Sequence, residues 1–463
     1  MRTTSAELTE RCLARIEAGD TLVHAVLAVD PTAGAQAEAA DRRADAGRSN
    51  GPLDGIPVLL KDNIDTAGLA TTIGSRVLTG APPDRDAAVV TRLRACGAVV
   101  LGKTNLSEWS NFRSAAAVEG WSAVGGQTSN PHVLGHSPWG SSSGSAVAVA
   151  TGMAPLALGT ETDGSVVGPA GVNGVVGVKP ELGLLPMTGI APISRELDTV
   201  GVFAVNVGDA AACLAALAGT EPFGGPAELR GRRLGVWCPA STGDDVSAVL
   251  ADALAALRSA GASIVPLPVD VPSDVVLDGL LAMYAEFRDG IEAYLRTRRG
   301  APATVSELIT AHRADPVEMS RFGLDLFDWA ATLSEDEYES ATAGRAGVRQ
   351  YCVESLAGLL VEHDVEAILA PTNEPAWPID HEQGDGTRLT TSTPAALAGR
   401  PNVSVPIGRV GELPIGLSVF GPAHVRSVLP IAAAVERTCG AFHEPAFART
   451  RGLPHPHVVA ESR

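Results

Sequence analysis

Apolar positions along this chain recur at two periods, and the two alternate. Leu8, Cys12, Leu13 and Ile16 share one stripe, which predicts an amphipathic helix over Ser5–Ala18, and Ala33–Ala46 predicts a second. The turn Gly51-Pro52-Leu53-Asp54-Gly55 precedes the apolar run Ile56-Pro57-Val58-Leu59-Leu60, which reads as a short buried strand. Ala87–Cys96 then predicts a helix and Ala98–Leu101 a strand. Farther on, Asp209–Leu217 and Asp244–Ser259 read as helices, Leu234–Trp237 and Ser263–Leu267 as strands. Ser273–Arg299 is helical and leads into polar helices up to His363. Strands are expected at Ala367–Ala370, Asn402–Pro406 and Ile415–Phe420, with a closing helix at Val428–Arg437. Such alternation predicts an α/β layered fold whose sheet faces are covered.

One stretch breaks the pattern. From about Gly120 to Gly189 the chain is rich in Gly, Ser, Thr and Ala and nearly free of charge. Interleaved apolar runs at Ala146–Ala150, Pro155–Leu158 and Val175–Val178 favour packed backbone over a linker. The expectation is a close-packed centre.

Composition narrows the function classes. Of 463 residues, 45% are hydrophobic and 19% charged, ample material for a large core. The net charge of −18 repels phosphate backbones and anionic lipid surfaces, so neither nucleic acid nor membrane is an expected partner. Six scattered cysteines lack paired spacing and suggest neither a zinc site nor a disulfide framework. The N-terminus lacks a basic-then-apolar leader, and no run of about 18 uncharged apolar residues occurs. A cytoplasmic protein is expected.

Three segments could carry chemistry, and each has a plain structural alternative. Gly140-Ser141-Ser142-Ser143-Gly144-Ser145 is either a tight turn or a nucleophile loop. It lacks the Gly-Lys-Ser/Thr ending of a phosphate loop. It matches G-x-S-x-G around Ser142, but His136-Ser137-Pro138-Trp139 is not the buried strand that motif requires, and only an undistinguished His443 could follow as base. Gly159-Thr160-Glu161-Thr162-Asp163-Gly164-Ser165 is either a polar turn or a nest of converging N–H groups beside the Ser165 hydroxyl. Lys61 is either a solvent-facing strand end or, if kept dry, a neutral amine able to act as a base.

Taken in order, these segments resemble the amidase signature family of Ser–cis-Ser–Lys hydrolases. The resemblance runs through Gly55–Asn63, Gly102–Asn105, Gly140–Ser145, Gly159–Ser165, Gly174–Pro180, Ala398–Pro406 and Leu413–Leu417. It covers essentially the whole chain, least securely between about Pro222 and Val365. It implies one large domain with a central mixed, twisted sheet covered by helices on both faces. The expected core spans about 50–205 and 366–440, with a helical insertion over about 222–365. It further implies that Ser165 is the acyl-enzyme nucleophile. Ser141, held after a cis peptide bond, bridges protons, and Lys61 is the general base. Backbone N–H groups of Thr162, Asp163, Gly164 and Ser165 form the oxyanion hole. No metal or organic cofactor is implied, and no histidine is needed.

Within the family the likeness is to the peptide amidase group, carried by Asn105–Ser114, Gly120–Ala123 and Gly125–Thr128, and by Asp163 where most relatives have Gly. The implied partner is a small-molecule or peptide amide, and a homodimer is left open. Trp109, Ser110, Phe112, Trp139 and Ser142 are the expected pocket residues; core packing is the alternative for the aromatic ones. The chain departs from the group at Trp139, at Glu181 and between Pro186 and Val205. Competing readings are the amidase-type subunit of a glutamine-dependent tRNA amidotransferase and a noncatalytic binding protein.

Overall fold

Eleven strands form one mixed sheet in the computed structural model, which describes residues 3–386, 388–440 and 442–449. They are β1 (Val26–Val29), β2 (Pro57–Lys61), β3 (Val99–Thr104), β4 (Leu156–Glu161), β5 (Val176–Lys179) and β6 (Thr199–Ala204). The rest are β7 (Arg233–Val236), β8 (Ser263–Pro266), β9 (Ile368–Pro371), β10 (Asn402–Val410) and β11 (Leu413–Phe420). Their order across the sheet is β1-β3-β2-β4-β6-β5-β10-β11-β9-β7-β8. β2 runs parallel to both β3 and β4, whereas β6 is antiparallel to β4 and β5.

The central strands are apolar at nearly every position because both faces are covered. Val58, Leu60, Leu158 and Val202 enter one core, with the helices Val207–Ala218 and Val425–Cys439. The intervening Leu59, Ala157 and Phe203 enter a second core beneath the helix Ser143–Ala150. The period of two along each strand divides its side chains between the layers.

Ser143–Ala150 is wholly buried, and its small residues make that burial feasible. A Cβ on Gly144 would lie 2.3 Å from the Ala25 carbonyl oxygen and 2.6 Å from that of Asn105, so only glycine lets these backbones meet. This helix starts directly after the Gly140–Ser142 loop and fixes that loop against the sheet. The charge-poor stretch is therefore packed interior, as expected.

A helical layer, including Ser273–Leu295, Val305–Ala314 and Asp325–Thr332, packs beside the 105–113 segment that follows β3. It is anchored by an aromatic cluster in which Phe112 sits 4.3 Å from Phe287, ring centre to ring centre, and Trp109 meets Phe327 edge-on. A buried Arg113 guanidinium pairs with the Glu108 and Glu318 carboxylates and joins this layer to the same segment. Among the described residues no helix is long and apolar enough to cross a membrane.

Candidate active site

Lys61 closes β2, where the strand delivers its side chain into the interior instead of into water. It is fully buried. Its Nζ donates to Ser141 Oγ at 2.7 Å and to Thr160 Oγ1 at 3.0 Å. Thr160, on the adjacent β4, also accepts from Asn63 Nδ2 at 2.9 Å, so its hydroxyl is fixed and aims the lysine. Burial lowers the Lys61 ammonium to about 7, against the opposing pull of the Asp198, Glu119 and Glu161 carboxylates. Near neutrality a large share of Lys61 is an uncharged amine.

The Gly140–Ser141 peptide is cis. A Cβ on Gly140 would lie 2.1 Å from both Glu119 Oε2 and Ser107 Oγ, leaving no room for a side chain. The loop is held from several directions. The Ser141 carbonyl accepts from the Ser107 N–H at 3.1 Å, and the Ser142 hydroxyl donates to the Thr160 carbonyl at 3.0 Å. The Ser142 N–H reaches the Ser165 carbonyl at 3.3 Å, which brings the backbones of the two serine segments together.

Ser165 lies half-buried in the turn between β4 and the helix Val167–Val172. Gly164 takes a φ of +84°, a conformation suited to glycine, and the Glu161 carboxylate accepts the Val166 and Val167 N–H groups at 2.7 and 2.9 Å. The N–H groups of Thr162, Asp163, Gly164 and Ser165 donate to no protein acceptor among the described residues. Four successive N–H groups without a protein acceptor beside a serine hydroxyl are the donor set that an anion-binding turn requires. Thr162 Oγ1 donates to Asp198 at 2.6 Å. The Asp163 carboxylate accepts from Ser392 Oγ at 2.5 Å and Thr393 Oγ1 at 2.8 Å, which latches the turn to the loop and helix around 390–393. Ser141 Oγ and Ser165 Oγ are not hydrogen-bonded to each other, and Ser165 Oγ has no protein partner among the described residues.

The expected pocket residues divide into two kinds. Ser110 lines a small cavity with Ser141, Asn63, Thr160, Thr162 and Asp198. Trp109, Phe112, Trp139 and Ser142 are buried and engaged internally. The Trp109 indole N–H donates to His312 Nε2 at 2.9 Å, and Trp139 packs edge-on against Trp377. Ser142 is spent on holding its loop to β4. A larger cavity of about 730 Å³ shares Met187 and Asp198 with the small one.

Four groups at the site are not singled out by the sequence reasoning: Asn63, Thr160, Asp198 and Glu119. The first two fall inside motifs that the family resemblance uses. Asp198 and Glu119 carry no motif signal. Burial raises both carboxyls, Asp198 to about 6 and Glu119 to about 7, in spite of hydrogen bonds that favour their charged forms.

Glu108, His312 and Glu318 also converge, but their polar atoms are already engaged. Arg113 pairs with both carboxylates, and His312 accepts from Trp109 while its other ring nitrogen bonds the Leu308 carbonyl. The set is an ion-pair anchor. His443 is exposed.

Comparison with known proteins places the chain in a family. A family model described as Amidase matches residues 7–425. The crystal structure of the peptide amidase from Stenotrophomonas maltophilia superposes with a TM-score of 0.88 at 39% identity, covering 96% of this chain and 95% of that one. A probable amidase of Arabidopsis thaliana is 34% identical over 91% of this chain and 84% of its own length. A glutamyl-tRNA(Gln) amidotransferase subunit from Salinispora arenicola is 34% identical over 96% of each.

Proposed function

The chain belongs to the amidase family and is an amide-hydrolysing enzyme, and we propose that it cleaves carboxamides through an acyl-enzyme on Ser165. The observation that carries this reading is the 2.7 Å contact between a fully buried Lys61 and Ser141, beside a turn with four free N–H donors.

Proton movements follow from it. Neutral Lys61 takes the Ser141 proton as Ser141 takes that of Ser165. Ser165 Oγ then forms a bond to the substrate carbonyl carbon. The carbonyl oxygen becomes an oxyanion facing the N–H groups of 162–165, each such donor contributing about 2.7–4 kcal/mol by the usual cost of its loss. The protons pass back to the nitrogen, the C–N bond breaks, and ammonia leaves when the amide is primary. Water repeats the sequence on the ester, which frees the acid and restores Ser165. Because Ser165 Oγ has no partner at rest, substrate binding turns it toward Ser141; hydrogen bonds of this kind commonly tighten only in the complex.

Peptide amides are the proposed substrates, supported by the likeness to a peptide amidase and by the 730 Å³ cavity beyond Asp198, large enough for an extended acyl portion. The test is ammonia release by the purified protein from peptide amides and from glutamine. Release from peptide amides supports the reading. Release only from glutamine, and only with an added partner protein, would transfer it to the amidotransferase role that one relative's name carries.

A further inference from the structure

Asp198 immediately precedes β6, is buried, and divides its two oxygens between different tasks. Oδ1 accepts the Thr162 hydroxyl at 2.6 Å, and Thr162 is the first residue of the anion-binding turn. Oδ2 accepts the N–H groups of Ile193 at 2.8 Å and Ser194 at 3.1 Å, in the segment that walls the catalytic cavity. Asp198 lines that cavity and the larger one beyond it. One side chain thus ties the turn to the cavity wall, and its negative charge favours the Lys61 ammonium without a direct ion pair between them.

We propose that Asp198 is a positioning residue for the amidase reaction: it fixes the Thr162–Ser165 turn through Thr162 Oγ1, and its charge steadies the protonated form of Lys61 that arises during the proton relay. The inference rests on the Ser165 mechanism proposed above. Its physical basis is separable into a tether and a charge. The tether acts on the angle at which the free N–H groups meet the oxyanion, where displacements near 1 Å cost roughly 100-fold in rate. The charge acts on the lysine. The other carboxylates whose charge favours the Lys61 ammonium are Glu119, which also feels the charge of Asp385, and Glu161, which also feels those of Lys179 and Asp163; Asp198 is the strongest of the three. Arg195, from Asp198's own loop, lines the outer cavity with it.

Two variants separate tether from charge. Thr162→Val removes the hydrogen bond and keeps the carboxylate. Its kcat for a peptide amide should fall roughly 10–100-fold with KM little altered, and the acid limb of its kcat/KM profile should stay where the wild type has it. Asp198→Asn removes the charge. Lysine then loses an attractive neighbour and deprotonates more easily, so the acid limb should move to lower pH by about 0.5–1 unit, with kcat also reduced. Circular dichroism and thermal melting establish that each variant is folded. Should Asp198→Asn fail to fold, Thr162→Val still decides the tether. Wild-type kcat in Thr162→Val overturns the tether, and an unmoved acid limb in folded Asp198→Asn overturns the charge. Either result with an active wild type refutes this inference alone. A wild type that releases no ammonia and leaves Ser165 unlabelled by a fluorophosphonate refutes the mechanism beneath it.

Discussion

Replacing Lys61 with methionine should inactivate the enzyme and stabilise it. The side chain is fully buried, and burial lowers its ammonium from the ordinary value of 10.5 to about 7. A depressed lysine means that the unfolded chain binds more protons than the folded one between about pH 7 and pH 10.5. Stability therefore rises with pH across that window and is lowest below it. At 1.36 kcal/mol per unit, the cost of keeping Lys61 at pH 7 has a ceiling of about 5 kcal/mol. Methionine fills a similar volume without that cost. It forfeits the bonds to Ser141 and Thr160, at about 0.5–1.5 kcal/mol each, which leaves a net gain of about 2–4 kcal/mol. The loss of a general base predicts a fall in turnover of at least about 10²–10⁴-fold. The assay is paired: chemical denaturation at pH 7 and pH 9.5, and ammonia release from a peptide amide. The wild type should gain on the variant as pH rises. Lys103 and Lys179 are likewise depressed by burial and contribute equally to both proteins, so the difference between them isolates Lys61. A Lys61→Met protein that is less stable than wild type at pH 7, with a gap independent of pH, would refute the dry-lysine argument even if activity were lost.

Three other substitutions probe separate parts of the account. Ser165→Ala should lower turnover by at least about 10⁴-fold while leaving stability within about 0.5 kcal/mol of wild type, since the hydroxyl bonds to nothing in the resting protein; residual turnover near wild type would remove Ser165 from the mechanism. Gly144→Ala places a Cβ 2.3 Å from the Ala25 carbonyl oxygen and should cost several kcal/mol, read as loss of soluble protein or a sharp fall in melting temperature. Arg113→Ala strips the counter-charge from buried Glu108 and Glu318 and should destabilise by about 3–5 kcal/mol, with part of that loss relieved at low pH as the carboxylates protonate.

Much of the framework is legible because it follows from local pattern. The run Val58-Leu59-Leu60 reads as a strand from its own residues, and Gly51–Gly55 marks where it begins. The strands at β9, β10 and β11 and the helices at Ala88–Ala95 and Asp244–Ser259 likewise match their expected positions within a few residues. β1 escapes because four partly exposed residues on a sheet edge alternate too weakly to stand out from the end of the helix Ser5–Val23. β6 hides in a stretch whose clearest feature is its departure from relatives, although Val200 and Val202 alternate correctly.

The site is legible to the extent that its residues sit in motifs. Lys61 is hydrogen-bonded to Ser141, the Ser142 backbone bonds that of Ser165, and Ser110 lines the cavity. Trp109 and Phe112 cannot be assigned from sequence, because the partners that bury them, Phe287 and Phe327, lie about 175–218 residues away in the least recognisable region. Asp198 and Glu119 are invisible for a related reason. An acidic residue in a polar segment looks solvated until tertiary neighbours remove its water.

The acyl-enzyme itself offers the most direct check. Rapid acid quenching of the purified enzyme during turnover of a slowly hydrolysed peptide amide, followed by peptide-mapping mass spectrometry, reads out which atom carries the acyl group. The expected result is a mass increase equal to that group on the segment containing Ser165, absent in Ser165→Ala. An adduct on Ser141 or Ser142, or steady product release with no adduct on any serine, would contradict it.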